Sequence, residues 1–169
     1  MNRQLLDPHE SDIPERIEDE LYAEHHHARC LSFNRRGTLL GTGCHDGSVV
    51  LWDFDTRGVI KILTDDEEAS TSVVSIAWSS NGRRIIAGDD KGRVRVWDVE
   101  KGLLIHRSKH ESACLTVQFN PNDPSMLLAC PNQGQPHISH IDQVWTQLCR
   151  TISMCAQCFA AIVILLTTL

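Results

Sequence analysis

Residues 43–58 read GCHDGSVVLWDFDTRG. A turn holding Asp46 and Gly47 precedes a short β-branched run, the pair Trp52-Asp53 and a further glycine, Gly58. That order belongs either to a local site or to a unit that recurs, and the chain holds a second copy. Residues 88–102 read GDDKGRVRVWDVEKG, and Trp97 follows Trp52 at an offset of 45 residues. The same offset relates Gly37 to Gly82, Gly47 to Gly92, Phe33 to Trp78 and Asp53 to Asp98. Agreement at one period means architecture before it means chemistry. A period of about 40 to 45 residues carrying a Trp-Asp pair is the sequence mark of a β-propeller blade.

The first unit, residues 28–64, parses into four short strands: ARCLSF, TLLGTG, SVVLWD and VIKIL. Turns fall at Asn34 to Gly37, at Asp46-Gly47 and at Thr56 to Gly58. Asp-Gly between alternating apolar runs is a hairpin signal, and the apolar spacing of a helix is absent. The second unit, 73–107, repeats the plan as VVSIAW, RRIIAG, RVRVWD and LLIH, with turns at SSNG, DDKG and VEKG. A third, 113–149, begins with CLTVQF and MLLAC but then degenerates, with no Trp-Asp at the expected place. The fold predicted is all-β: a partial propeller of about three four-stranded blades, part of an expected larger ring, because such rings close with roughly four to eight blades. One blade cannot bury both of its faces, so neighbours must stack. Three blades leave two open flanks, and the segment before Ala28 is expected to have no sheet to join.

The pattern has a mechanical reading. Small β-branched residues fill the space between blades, the tryptophans pack in the layer between them, and an Asp at a tight turn accepts hydrogen bonds from turn amides. Gly37, Asp46, Gly47, Trp52, Asp53, Gly82, Asp90, Gly92, Trp97 and Asp98 are therefore read as repeat-defining structural residues rather than catalytic ones.

Charge divides the chain further. The formal net charge is −6. Residues 1–24 carry eight carboxylates against Arg3 and Arg16, which accounts for all of it. Residues 1–27 thus read as a solvated acidic arm before the blades at 28–149. No basic stripe is available to neutralise phosphates, so direct nucleic-acid binding is not expected. Seven cysteines without an N-terminal apolar stretch point to reduced thiols in the cytosol or nucleus. The tail, 150–169, is almost uncharged after Arg150 and ends in FAAIVILLTTL. A helix could form there, and its length is near the minimum of about 17 to 20 residues for crossing a membrane. It reads either as a tail anchor through residues 151–169 or as an ending foreign to the repeat.

Candidate chemistry is sparse. Cys155 and Cys158 have metal-like spacing, but a structural zinc site needs four ligands. Only Cys149 and His140 lie near, with no second pair. Three consecutive histidines, His25 to His27, cannot all face one point on a strand and read as a solvated lead-in. No nucleophile-elbow, phosphate-loop or dinucleotide pattern occurs. No catalytic residue, metal or cofactor is expected, and the chain is read as a non-enzyme.

The stretch FNRRGTLLGTGCHDGSVVLWDFDTRGVIKI, with WDFDTRG its most distinctive phrase, resembles the first blade of the retinoblastoma-binding protein 5 and Swd-type family of WD-repeat subunits of COMPASS-like histone methyltransferase complexes. The opening LLDP, the acidic arm, SVVSIAWSSNGRRI and LLACP are similar too, in the family's order over about residues 1–141. The resemblance implies a non-catalytic nuclear scaffold beside another WD-repeat protein, an Ash2-type subunit and the SET-domain subunit that methylates a histone lysine. It also implies a truncated form, because the segments that follow the propeller in this family are not in the chain. The alternative is a membrane-tethered or non-functional propeller fragment made by the altered C-terminus.

Overall fold

The structure, a computed structural model, describes residues 20–65, 71–141 and 146–148. Among them are twelve strands and no helix. The first sheet comprises β1 (Ala28–Phe33), β2 (Leu39–Cys44), β3 (Val49–Asp53) and β4 (Val59–Leu63). The second comprises β5 (Val73–Trp78), β6 (Arg84–Asp89), β7 (Arg93–Asp98) and β8 (Leu103–Lys109). The third comprises β9 (Cys114–Phe119), β10 (Met126–Pro131), β11 (His137–His140) and β12 (Thr146–Leu148). Each sheet is an antiparallel meander in chain order, and β1, β5 and β9 pack side by side as the inner strands. The described residues form an open, partial propeller of three blades. No helix among the described residues is long and apolar enough to cross a membrane. The body of the acidic arm and the apolar tail, with Cys149, Cys155 and Cys158, lie outside the described residues.

The blades superpose in register as well as in order. Phe33 pairs with Leu40, Trp78 with Ile85 and Phe119 with Leu127. Each inner strand carries an irregularity near its start, passing over Arg29, Val74 and Leu115 in turn. Across the next hairpin Trp52 pairs with Leu40 and Trp97 with Ile85, whereas Ser139 pairs with Leu127. The third blade therefore keeps the backbone plan and places a buried serine where the first two place tryptophan. Backbone ladders do not depend on that side chain, which is why the sheet survives a sequence in which the motif is gone.

The core lies between the blades. Val49, Leu51 and Leu63 of the first meet Val73, Ile76, Ile85, Ala87 and Trp97 of the second. On the other face of the second blade, Ile86, Val94 and Val96 meet Cys114, Val117, Phe119, Leu127 and Ala129 of the third. The period of two along β7 explains the division: Arg93, Arg95 and Trp97 point to one neighbour, Val94 and Val96 to the other. Glycine is required where the blades come closest. A Cβ on Gly88 would stand 2.9 Å from both Cys114 Cβ and Val117 Cγ1.

Among the described residues none before Ala28 lies in a strand, yet the lead-in is not loose: Leu21 and Ala23 pack on the cluster of Leu40, Cys44, Val50 and Trp52. This is the face of the first blade that a preceding blade would cover. His27 continues the contact by accepting a hydrogen bond from the His45 amide at 2.9 Å.

Candidate protein-interaction site

Two ends of the sheets carry polar and aromatic groups. At the first end, the β2–β3 type of turn is tied down to the chain that leads into the blade. The amides of His45, Asp90 and Asn132 donate to the carbonyls of His27, Ser72 and Ala113, the same bond in three blades. Side chains reinforce it. In the first blade His26 Nδ1 lies 2.8 Å from Asp46 Oδ2 and 2.9 Å from Ser48 Oγ. Asp46 Oδ1 in turn accepts from the Ser48 amide and hydroxyl. In the second blade Thr71 Oγ1 donates to Asp89 Oδ2 at 2.7 Å, and Arg93 Nε donates to the same carboxylate at 2.8 Å. Arg93 also donates to Thr71 Oγ1. In the third, Ser112 Oγ donates to the Gln133 carbonyl and accepts from its amide, both at 2.9 Å. His26 and Thr71 are one repeat apart, as are Ser48 and Arg93.

This arrangement places the sequence-selected residues plainly. Gly47 and Gly92 turn the hairpins at φ 88° and 81°, and Asp46 accepts the Ser48 amide and hydroxyl. In the second blade the acceptor is Asp89, which also takes the amides of Lys91 and Arg93; Asp90 beside it is exposed. His26 is no free lead-in residue, though His25 and His27 are exposed. The signal for His26, Thr71 and Arg93 was present in the offset of 45, but residues of different type at matching positions do not announce a shared role.

Ligand atoms of His26, Cys44 and Asp46 lie within 4.8 Å of one another, a distance that suits a metal. The nitrogen that would ligate is the one already bonded to Asp46 and Ser48, and the matching positions of the second blade do the same work with Thr71 and Arg93. The trio is a clasp. Burial works to raise the Asp46 carboxyl, but the bonds from Ser48 and the contact with His26 hold it below its ordinary value. Burial also pushes up the thiols of Cys30 and Cys44 and takes Cys114 to about 12. These sulfurs are packing groups, since the thiolate is the nucleophile.

At the other end, Asp53 accepts the amides of Asp55 and Thr56 at 2.9 and 3.2 Å, and Asp98 that of Lys101 at 2.9 Å. Gly37 and Gly82 take φ 73° and 71° in the β1–β2 and β5–β6 turns. Trp52 donates to Thr42 Oγ1 at 3.0 Å and Trp97 lies fully buried with Arg95 5.4 Å above its ring. Trp97 thus packs between blades, whereas Trp52 packs under Leu21 and Ala23. The surface is apolar in places: Val59, Ile60 and Ile62 on the edge strand β4, and Leu103 and Ile105 on β8, are exposed.

Comparisons with known proteins agree with this geometry. A family model described as the Vps8 beta-propeller matches residues 19–118. The chain is 39% identical over 144 residues to "Protein RBL" of Arabidopsis thaliana, covering 84% of this chain and 26% of that protein. It is 37% identical over 131 residues to "Retinoblastoma-binding protein 5 homolog" of Drosophila melanogaster, covering 78% and 26%. It is 28% identical to "Set1 complex component swd1" of Schizosaccharomyces pombe, covering 84% of this chain and 35% of that protein. The solved β-propeller domain of Cps50 (Swd1) from Myceliophteria thermophila matches 74% of this chain and 39% of its own at a TM-score of 0.67 and 26% identity. The chain spans about a quarter to a third of the length of these curated relatives. The chain belongs to the Vps8 beta-propeller family, and its homologues include the retinoblastoma-binding protein 5 and Swd1 proteins.

Proposed function

We propose that this chain acts as a non-catalytic WD-repeat scaffold in a nuclear COMPASS-type histone lysine methyltransferase complex, with residues 28–149 as its blade unit. Its partners there are the SET-domain subunit, an Ash2-type subunit and another WD-repeat protein, and it contacts no nucleic acid directly. The observation that carries the reading is similarity over most of the chain to proteins of the Set1 complex line. The geometry supports it, because the chemistry-bearing side chains of the repeat are consumed by turns and packing while apolar residues remain exposed on the outer strands. A scaffold needs such surface and no reacting centre.

The test is affinity purification of the tagged chain from nuclear extract, probed for the SET-domain and Ash2-type subunits. Co-purification of both is expected, together with no methyl transfer to nucleosomes by the purified chain alone. A chain recovered from nuclei with neither subunit overturns the assignment.

A further inference from the structure

The inner strands end together on aromatic residues at matching positions: Phe33 on β1, Trp78 on β5 and Phe119 on β9. They line a groove of about 320 Å³ that spans all three blades at the end opposite the His26 clasp. The groove is held open by structure rather than by chance. Trp78 donates from Nε1 to the Ser32 carbonyl across the blade boundary at 2.9 Å, and Phe33 is braced by Phe54, edge to face at 4.8 Å. Arg84 Nη1 donates to the Pro124 carbonyl at 3.1 Å, fixing the third turn beside the second.

Cations gather on the two turns beside the groove. Arg35 lines it, Arg36 follows on the same turn, and Arg83 lies on the β5–β6 turn; all three are exposed. Among the described residues none of the three carries an ion pair. Of the acids at this end, Asp53 and Asp98 cap turns and Asp123 Oδ1 accepts the Ser125 amide and hydroxyl at 2.9 and 2.6 Å, while Asp55 and Glu100 are exposed on the β3–β4 and β7–β8 turns of the outer strands. Three exposed guanidinium groups, Arg35 on the groove itself and Arg36 and Arg83 on the adjoining turns, match carboxylates flanking an apolar anchor.

We propose that this groove docks an acidic segment of a partner protein, seating one or two aromatic or aliphatic side chains between Phe33, Trp78 and Phe119 while its carboxylates meet Arg35, Arg36 and Arg83. A nucleic acid fits less well. The cavity holds side chains rather than a duplex, the cations occupy two turns rather than a stripe, and the chain as a whole carries −6.

The experiment titrates the full chain into fluorescently labelled Glu-Glu-Leu-Phe-Glu-Glu and reads anisotropy. Binding is expected that weakens with salt, and weakens further when the peptide carries Ala-Ala in place of Leu-Phe or lysines in place of the glutamates. Arg35→Glu combined with Arg83→Glu is expected to lower affinity by about tenfold or more, with an unchanged thermal melt because both side chains are exposed. Equal binding of the acidic and lysine peptides, no binding at all, or an unaffected double variant overturns the proposal. Tighter binding of a DNA duplex overturns it in favour of a phosphate surface. Tighter binding of a peptide of residues 1–19 assigns the groove to the chain's own acidic arm and overturns the partner.

Discussion

Asp89 shows how far one carboxylate can organise a blade. It is fully buried, takes the Lys91 and Arg93 amides on one oxygen, and holds Thr71 and Arg93 on the other, with Arg95 at 3.8 Å. Removing it would strand two buried guanidinium groups, a situation worth about 3 to 5 kcal/mol. Asp89→Ala is therefore expected to lower stability by that order in urea melts, and Asp90→Ala to stay within about 0.5 kcal/mol as an ordinary surface change. The sequence pattern singled out Asp90 because it stands inside the DDKG turn, where two adjacent acids cannot be ranked by spacing alone. The glycines separate in a similar way. Gly37 and Gly92 share positive φ, but a Cβ on Gly37 meets nothing within 4 Å, whereas one on Gly92 meets the carbonyl oxygens of Ser112 and His110. Left-handed backbone costs a non-glycine residue about 1 to 2 kcal/mol. Gly37→Ala should lose about that much and Gly92→Ala clearly more, as measured by the difference in urea midpoint between the two variants.

The strands were legible from the sequence because apolar alternation and turn chemistry agree at every hairpin of the first two units. The interblade assignments were less so, since which face of a strand meets which neighbour depends on the stacking. Trp97 and Trp52 illustrate this: one is sealed between two blades, the other lies under Leu21 and Ala23. Trp97→Ala is expected to cost about 3 to 5 kcal/mol as a buried aromatic truncation. The junction of β8 and β11 adds a pH dependence. His110 stacks on His137 with ring centroids 4.8 Å apart, and burial, aided by His137, holds the His110 pKa below its ordinary value of 6.5. The unfolded chain then binds more protons than the native one just below pH 6.5, so stability is full above that value and declines as the pH falls through it. His110→Gln should reduce the dependence of the melting temperature between about pH 7.5 and 5.5, around the ordinary histidine value, leaving the share of His106, whose pKa burial also lowers. An unchanged slope in the variant would contradict the stacked pair as its source.

Across the whole molecule, the two outer faces of the stack differ. The face of the first blade is dressed by Leu21 and Ala23, a contact hidden from the sequence because AEHHH has neither strand alternation nor helix spacing. The face of the third blade follows from the register. Leu128 pairs with Ile138 as Gly41 pairs with Leu51 and Ile86 with Val96. In the first blade that face receives Ile85, and in the second it receives Cys114 and Val117. Leu128 and Ile138, both half-buried, are thus the residues a following blade would cover. Blades are stable by virtue of their neighbours, and among the described residues no further sheet covers this face, which favours association. The purified chain is expected to self-associate with rising concentration, seen as a growing mass in size-exclusion chromatography with light scattering. Leu128→Glu with Ile138→Glu should shift that distribution towards monomer, because a charge on each strand opposes any apolar partner sheet. A monodisperse monomer at every concentration, with a sharp cooperative melt, would mean that three blades bury enough surface to stand alone.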